Sequence, residues 1–128
     1  GVHFGHAAAH EFGIQFHMPH GVGCALTLPE VVCVAAEAMP DRVENIAAVL
    51  GYTDKDELSV GNYVKNILMD LMKRVGIKSL KEQGISMEQA VHCAKGAVEK
   101  NAFIAAAPIE VTIPVMEDLI TRMYKAYE

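Results

Sequence analysis

Apolar residues along most of this chain recur at helical spacing, and strand-like alternation is nearly absent. The clearest stripe is Val60, Val64, Ile67, Leu68, Leu71, Met72 and Val75, which share one helical face, with Ser59 as N-cap and Gly76 as the stop. Gly5 to about Phe16 carries three successive alanines, strong helix formers small enough to let another backbone approach closely. His17-Met18-Pro19-His20-Gly21 interrupts it, and a second helix is expected from about Val22 to Ala38, with a kink or restart at Pro29. Pro40-Asp41 opens a third helix that Gly51 should cap. Ser86 caps one helix over Met87 to Lys100, and Thr112-Ile113-Pro114 starts a last helix ending near Tyr127. The polar stretch Tyr52 to Leu58 reads as a loop. Ala105-Ala106-Ala107-Pro108 reads as extended chain, and Ile109 to Ile113 is the one strand candidate. The fold class is therefore all-α, a helical bundle in a single domain over residues 1–128.

Composition narrows the function. A length of 128 residues with 52% hydrophobic positions supports one core without a disulfide or metal staple. The net charge of −5 disfavours nucleic acid as a partner, because phosphate neutralisation needs the opposite sign. Phe12 to Pro29 holds no Asp, Glu, Lys or Arg, but Gln15, His17, His20, two prolines and three glycines interrupt it, so no membrane span is expected. No basic, apolar start resembles a signal peptide. Cys24, Cys33 and Cys93 are odd in number and lie among apolar neighbours, which suits reduced thiols in a cytoplasm. A mean hydropathy of +0.20 suggests apolar surface left for a partner and self-association as a homo-oligomer. A chain opening at Gly1 is expected to be a cut fragment.

Five of the six histidines, His3, His6, His10, His17 and His20, fall in the first twenty residues. His6 and His10 are four apart and share a helix face. The zinc-peptidase pattern is excluded, because the position directly after His6, where its glutamate would stand, is Ala7. His20, between Pro19 and Gly21, can swing back toward the first helix. Imidazoles with carboxylates available and no nearby pair of thiols suit Fe(II), Zn(II) or Mn(II) better than a structural thiolate site. No glycine-rich phosphate-binding fingerprint occurs. His3 and His17 read as variable or solvated positions, His92 as packed or surface, Cys24 as a small buried apolar residue, and Met69, Met72, Met116 and Met123 as core filling.

The run Gly5-His6-Ala7-Ala8-Ala9-His10-Glu11-Phe12-Gly13 through Pro19-His20-Gly21 resembles the signature of the iron-containing (group III) alcohol dehydrogenases: histidine, histidine four residues on, glycine three further, and proline-histidine-glycine with its histidine fourteen after the first. Gly23 to Val31 resembles the helix that follows in that family, and the likeness beyond residue 31 lies mainly in helix pattern. The resemblance implies the later part of the all-helical metal-binding domain of a two-domain enzyme, with NAD or NADP bound mainly by an N-terminal α/β domain that this chain lacks. It implies His6 and His20 as two of four metal ligands, Fe2+ as the expected ion and Zn2+ as the alternative. The other two, an aspartate and a histidine, have no counterpart here. It makes His10 the catalytic and cofactor-facing histidine, placed for proton relay or positioning near nicotinamide and substrate. The activity implied is interconversion of a primary or secondary alcohol and its aldehyde or ketone by hydride transfer, with the isolated chain inactive. A glycerol dehydrogenase-like or dehydroquinate synthase-like relative, or a non-catalytic helical interaction module, is the alternative. Ala107-Pro108-Ile109-Glu110 departs from the Asn-Pro-Arg type segment of the family, which bears on substrate range.

Overall fold

The computed structural model describes residues 3–53, 58–100, 104–105 and 107–128. Among these, seven helices follow in order: α1 (Gly5–Phe16), α2 (His20–Ala38), α3 (Pro40–Val49), α4 (Val60–Arg74), α5 (Met87–His92), α6 (Ala94–Lys100) and α7 (Ile113–Ala126). No described residue is in a strand, so Ile109 to Ile113 is loop up to the start of α7. Its β-branched residues have no neighbouring strand to pair with, and Thr112 instead caps the helix by accepting from the Val115 N–H at 3.3 Å. Residues 54–57, 101–103 and 106, parts of two segments read as loops, lie outside the described residues.

Most helix ends obey local capping chemistry. Ser59 accepts from the Asn62 N–H, and Ser86 forms a reciprocal capping box with Gln89. At Gly51 and Gly76, φ values of 97° and 82° turn the chain left-handed, and the next residues, Tyr52 and Ile77, bond back to the carbonyls of Ala47 and Met72 at 2.9 Å. Two boundaries differ from expectation. α2 starts at His20 and runs through Pro29 without restarting. The single helix expected over Met87 to Lys100 is divided at Cys93, whose N–H bonds three residues back to Ala90 while its thiol bonds to the Gln89 carbonyl at 3.6 Å.

α2 is the central element, packed by α1, α3, α4 and α7. It is also the one described helix long and apolar enough, by length and composition, to cross a membrane. Glu30 on α2 is buried with Lys65 of α4 as its ion-pair partner and Arg122 of α7 at 3.8 Å, a charge arrangement that joins three helices in the interior. The main core gathers Phe4, Phe12, Leu26, Met72, Met116, Leu119, Ile120 and Met123. A smaller cluster of Val43, Ala47 and Val64 holds α3 against α2 and α4. Met72, Met116 and Met123 are core residues as read from sequence, with Met69 packed at the edge.

α1 is pinned on two sides. Buried Glu11 accepts from Gln15 at 3.2 Å and stands 3.7 Å from Lys100. α6 can pass this close because Gly96 has no side chain: a Cβ there would sit 2.5 Å from the Glu11 carboxylate. On its other side α1 meets α2 through small residues, and that contact builds the site.

Candidate metal centre

Ala7, Ala8 and Ala9 are all buried, and Gly23 of α2 lies against Ala9 so closely that an added Cβ would stand 3.0 Å from the Ala9 Cβ. Gly5 meets α2 in the same way, with an added Cβ 2.7 Å from Thr27 Oγ1. The first two turns of α1 therefore lie on the start of α2. The connection consists of His17, Met18 and Pro19. His17 takes φ 54° and ψ 32°, a left-handed conformation unusual for a side chain with a Cβ, and Pro19 leads directly into α2.

This crossing puts His6, near the start of α1, beside His20, the first residue of α2, with ring centroids 5.3 Å apart and the planes at 60°. Cys24, one turn beyond His20, adds its thiol: Sγ is 3.5 Å from His20 Nε2. One donor atom from each of His6, His20 and Cys24 lies within 4.8 Å of the other two. His6 and Cys24 are half-buried and His20 is exposed, so the group faces solvent on one side only. Two imidazole nitrogens and a sulfur are donors that fit a borderline divalent cation. Burial pushes the Cys24 thiol above its ordinary pKa, so without a cation it stays protonated beside the His20 ring.

The other histidines fall into place around this group. The half-buried His3 ring packs edge-on against His6 with centroids 4.6 Å apart, and its pKa is lowered by burial first and by the charge of His6 second. His10 is exposed one turn beyond His6 and lines a depression of about 250 Å³ with Ala9, Gly13, Ile14, Met18 and His20. His17 and His92 are exposed, and His92 lines two larger depressions that include neither His6 nor His20. Two neighbours of the pair differ from their reading in the sequence, Cys24 as a small buried apolar residue and His3 as a variable or solvated one: both are half-buried, the Cys24 thiol lies against His20 and the His3 ring against His6. Cys24 had a readable signal, the four-residue interval from His20, whereas His3 precedes α1 and only the folded first turn brings it onto His6.

A family model described as the C-terminal part of the Fe-containing alcohol dehydrogenase family matches residues 1–126. The chain belongs to this family. A region of 85 residues, 66% of the chain, is 29% identical to the NADPH-dependent butanol dehydrogenase of Clostridium saccharobutylicum and covers 22% of that protein. The crystal structure of a 1,3-propanediol oxidoreductase superposes with a TM-score of 0.80 over 95% of this chain and 32% of that one, at 24% identity, which supports the fold alone. The alcohol dehydrogenase from Oenococcus oeni superposes with a TM-score of 0.77 at 29% identity, covering all of this chain and 33% of that one. The chain thus has the all-helical fold of the C-terminal part of Fe-containing alcohol dehydrogenases, and spans a fifth to a third of the length of these relatives.

Proposed function

We propose that this chain is the metal-holding helical part of an NAD(P)-linked alcohol dehydrogenase that interconverts a primary or secondary alcohol and its aldehyde or ketone. The observation that carries the reading is the meeting of His6 and His20, with centroids 5.3 Å apart, at the spacing of the family motif. Fe2+ is the expected ion and Zn2+ the alternative. Such a cation, when bound, stabilises negative charge on the alcohol oxygen while a nicotinamide takes the hydride.

The remaining work falls to side chains of this chain. His6, in the first turn of α1 with the His3 ring packed edge-on against it, is the anchor of the pair. His20 offers its imidazole from the exposed side, oriented by the start of α2. His10, exposed and beside His20 around the same depression, takes up the proton released by the substrate and passes it to solvent. Ala9, Gly13, Ile14 and Met18 give that depression an apolar wall, which limits water around a small substrate.

In this reading an α/β nucleotide-binding part outside these 128 residues brings NAD or NADP to His10, and the two further metal ligands, an aspartate and a histidine, come from the earlier part of the helical domain. The nucleotide-binding part covers Ile14, a large apolar side chain 52% exposed beside His10. Ile46, Val49 and Leu50, at the exposed end of α3, offer an apolar surface for a second copy in a homo-oligomer. Three free cysteines suit a reducing cytoplasm. The test is to join the chain to the rest of its polypeptide, load Fe2+ or Zn2+, and follow alcohol-dependent NAD(P)+ reduction. Activity that falls by orders of magnitude in His20→Ala supports the reading. Absence of any alcohol-dependent reduction overturns it in favour of a non-catalytic helical module, and near-normal turnover in His20→Ala removes His20 from the site.

A further inference from the structure

We propose that Cys24 is a third ligand at this centre, so that His6, His20 and Cys24 by themselves hold one thiophilic divalent cation. The inference rests on the reading of His6 and His20 as metal ligands and adds to it a donor of different chemistry.

The geometry carries it. In a tetrahedral site with Zn–N near ~2.0–2.1 Å and Zn–S near ~2.3 Å, neighbouring nitrogen and sulfur ligands stand about 3.6 Å apart. His20 Nε2 and Cys24 Sγ are separated by 3.5 Å. Ordinary tetrahedral nitrogen pairs stand about 3.4 Å apart on the same bond lengths. The three donors here lie within 4.8 Å of one another. The four-residue interval sends the His20 and Cys24 side chains from one face of α2, and α2 meets α1 on small residues, so His6 arrives from a second, firmly packed element.

A thiolate changes what the centre prefers. Sulfur favours Zn2+ and Co2+ over the harder divalent ions that two imidazoles alone accept. Binding exchanges the thiol proton for the cation and releases that proton to solvent, with no change of oxidation state.

Anaerobic titration of the 128-residue chain with Co2+ tests this. One equivalent is expected to bind with an intense sulfur-to-cobalt charge-transfer band in the near ultraviolet, which excess Zn2+ abolishes. Cys24→Ser should lose the band and bind at least about tenfold more weakly, while Cys33→Ser keeps both. Circular dichroism on each variant separates ligand loss from unfolding. As a second measurement on the unaltered chain, bound Zn2+ should protect Cys24 from alkylation, read by peptide mass. Failure to bind Co2+, binding without the band, or a band that survives in folded Cys24→Ser overturns the proposal. The two readings fail separately: alcohol oxidation by the complete polypeptide that requires His20, with no thiolate band, sinks only the Cys24 inference, and a thiolate site without alcohol oxidation sinks only the dehydrogenase reading.

Discussion

Gly23 is the position where a small change in packing should be felt first by the metal and only second by the fold. A Cβ added there stands 3.0 Å from the Ala9 Cβ and 3.2 Å from its Cα. Both contacts are tighter than carbon pairs favour, so α1 and α2 must give by a few tenths of an ångström to admit it. Against that strain, worth about 1–3 kcal/mol when a packed interior is overfilled, Gly→Ala inside a helix returns about 0.5–1 kcal/mol. Gly23→Ala should therefore lose between almost nothing and about 2.5 kcal/mol of stability. Gly23→Val should lose more, its branched side chain having nowhere to go. Metal coordination tolerates displacements of only about 0.2 Å. Since Ala9 lies one turn from His6, both variants should bind Co2+ or Zn2+ about 10–100-fold more weakly. Thermal unfolding by circular dichroism gives the first quantity and metal titration the second. Gly21→Ala is the stability control, because a Cβ there meets nothing within 4 Å. A Gly23→Val chain with unaltered melting temperature would refute the close approach of the helices, and one that melts early but keeps full metal affinity would refute the claim that this crossing sets the site.

Glu30→Gln leaves Lys65 and Arg122 without their buried carboxylate. Because Arg122 is 41% exposed, the loss should be about 2 kcal/mol, below the usual range for a broken buried pair, and a urea midpoint within error of the parent's would contradict it. Cys93 is buried, and its pKa is raised to about 11, first by burial and second by the charge of Glu11. Below the unfolded thiol's pKa both states are protonated. Between that value and about 11 only the unfolded state sheds the proton, so stability should fall as pH rises through this window. A thiol reagent should accordingly modify Cys93 only on unfolding and after the half-buried Cys24 and Cys33, and Cys93 reacting as fast as those two in the folded chain would refute this. Tyr127 donates to the Ile77 carbonyl at 2.5 Å, anchoring the end of α7 to the turn after α4. Tyr127→Phe should cost about 1 kcal/mol, checked by the same urea series.

The helices were legible where the signal is local. Ser59, Ser86 and Thr112 cap, and Gly51 and Gly76 stop, because each satisfies backbone groups within a few residues of itself. Illegible features depend on distant partners. Nothing in Met87 to Lys100 alone announces the break at Cys93, and Ile109 to Ile113 reads as a strand until the fold offers it no second strand. Pro29 reads as a break, yet α2 continues through it because four other helices pack around that helix. The histidine spacing pointed to His6 and His20, and the folded chain brings them together. Cys24 was passed over because one cysteine in an apolar stretch looks inert until its distance to an imidazole is known.

The same contrast explains how a site can be built from elements that contribute little polar chemistry of their own. α1 and α2 meet through Ala9 and Gly23, positions where almost any other side chain would force the backbones apart. The donor groups occupy the rim of that contact: His6 one turn before Ala9, His20 one turn before Gly23, and Cys24 directly after it. Packing at the small residues thus fixes the separation of the donors, while the rim leaves His20 open to solvent. In the proposed site the helices are held by this small-residue contact rather than by a cation, so the donors are positioned before one binds. The motif is therefore as much a constraint on residue size between the histidines as on the histidines themselves.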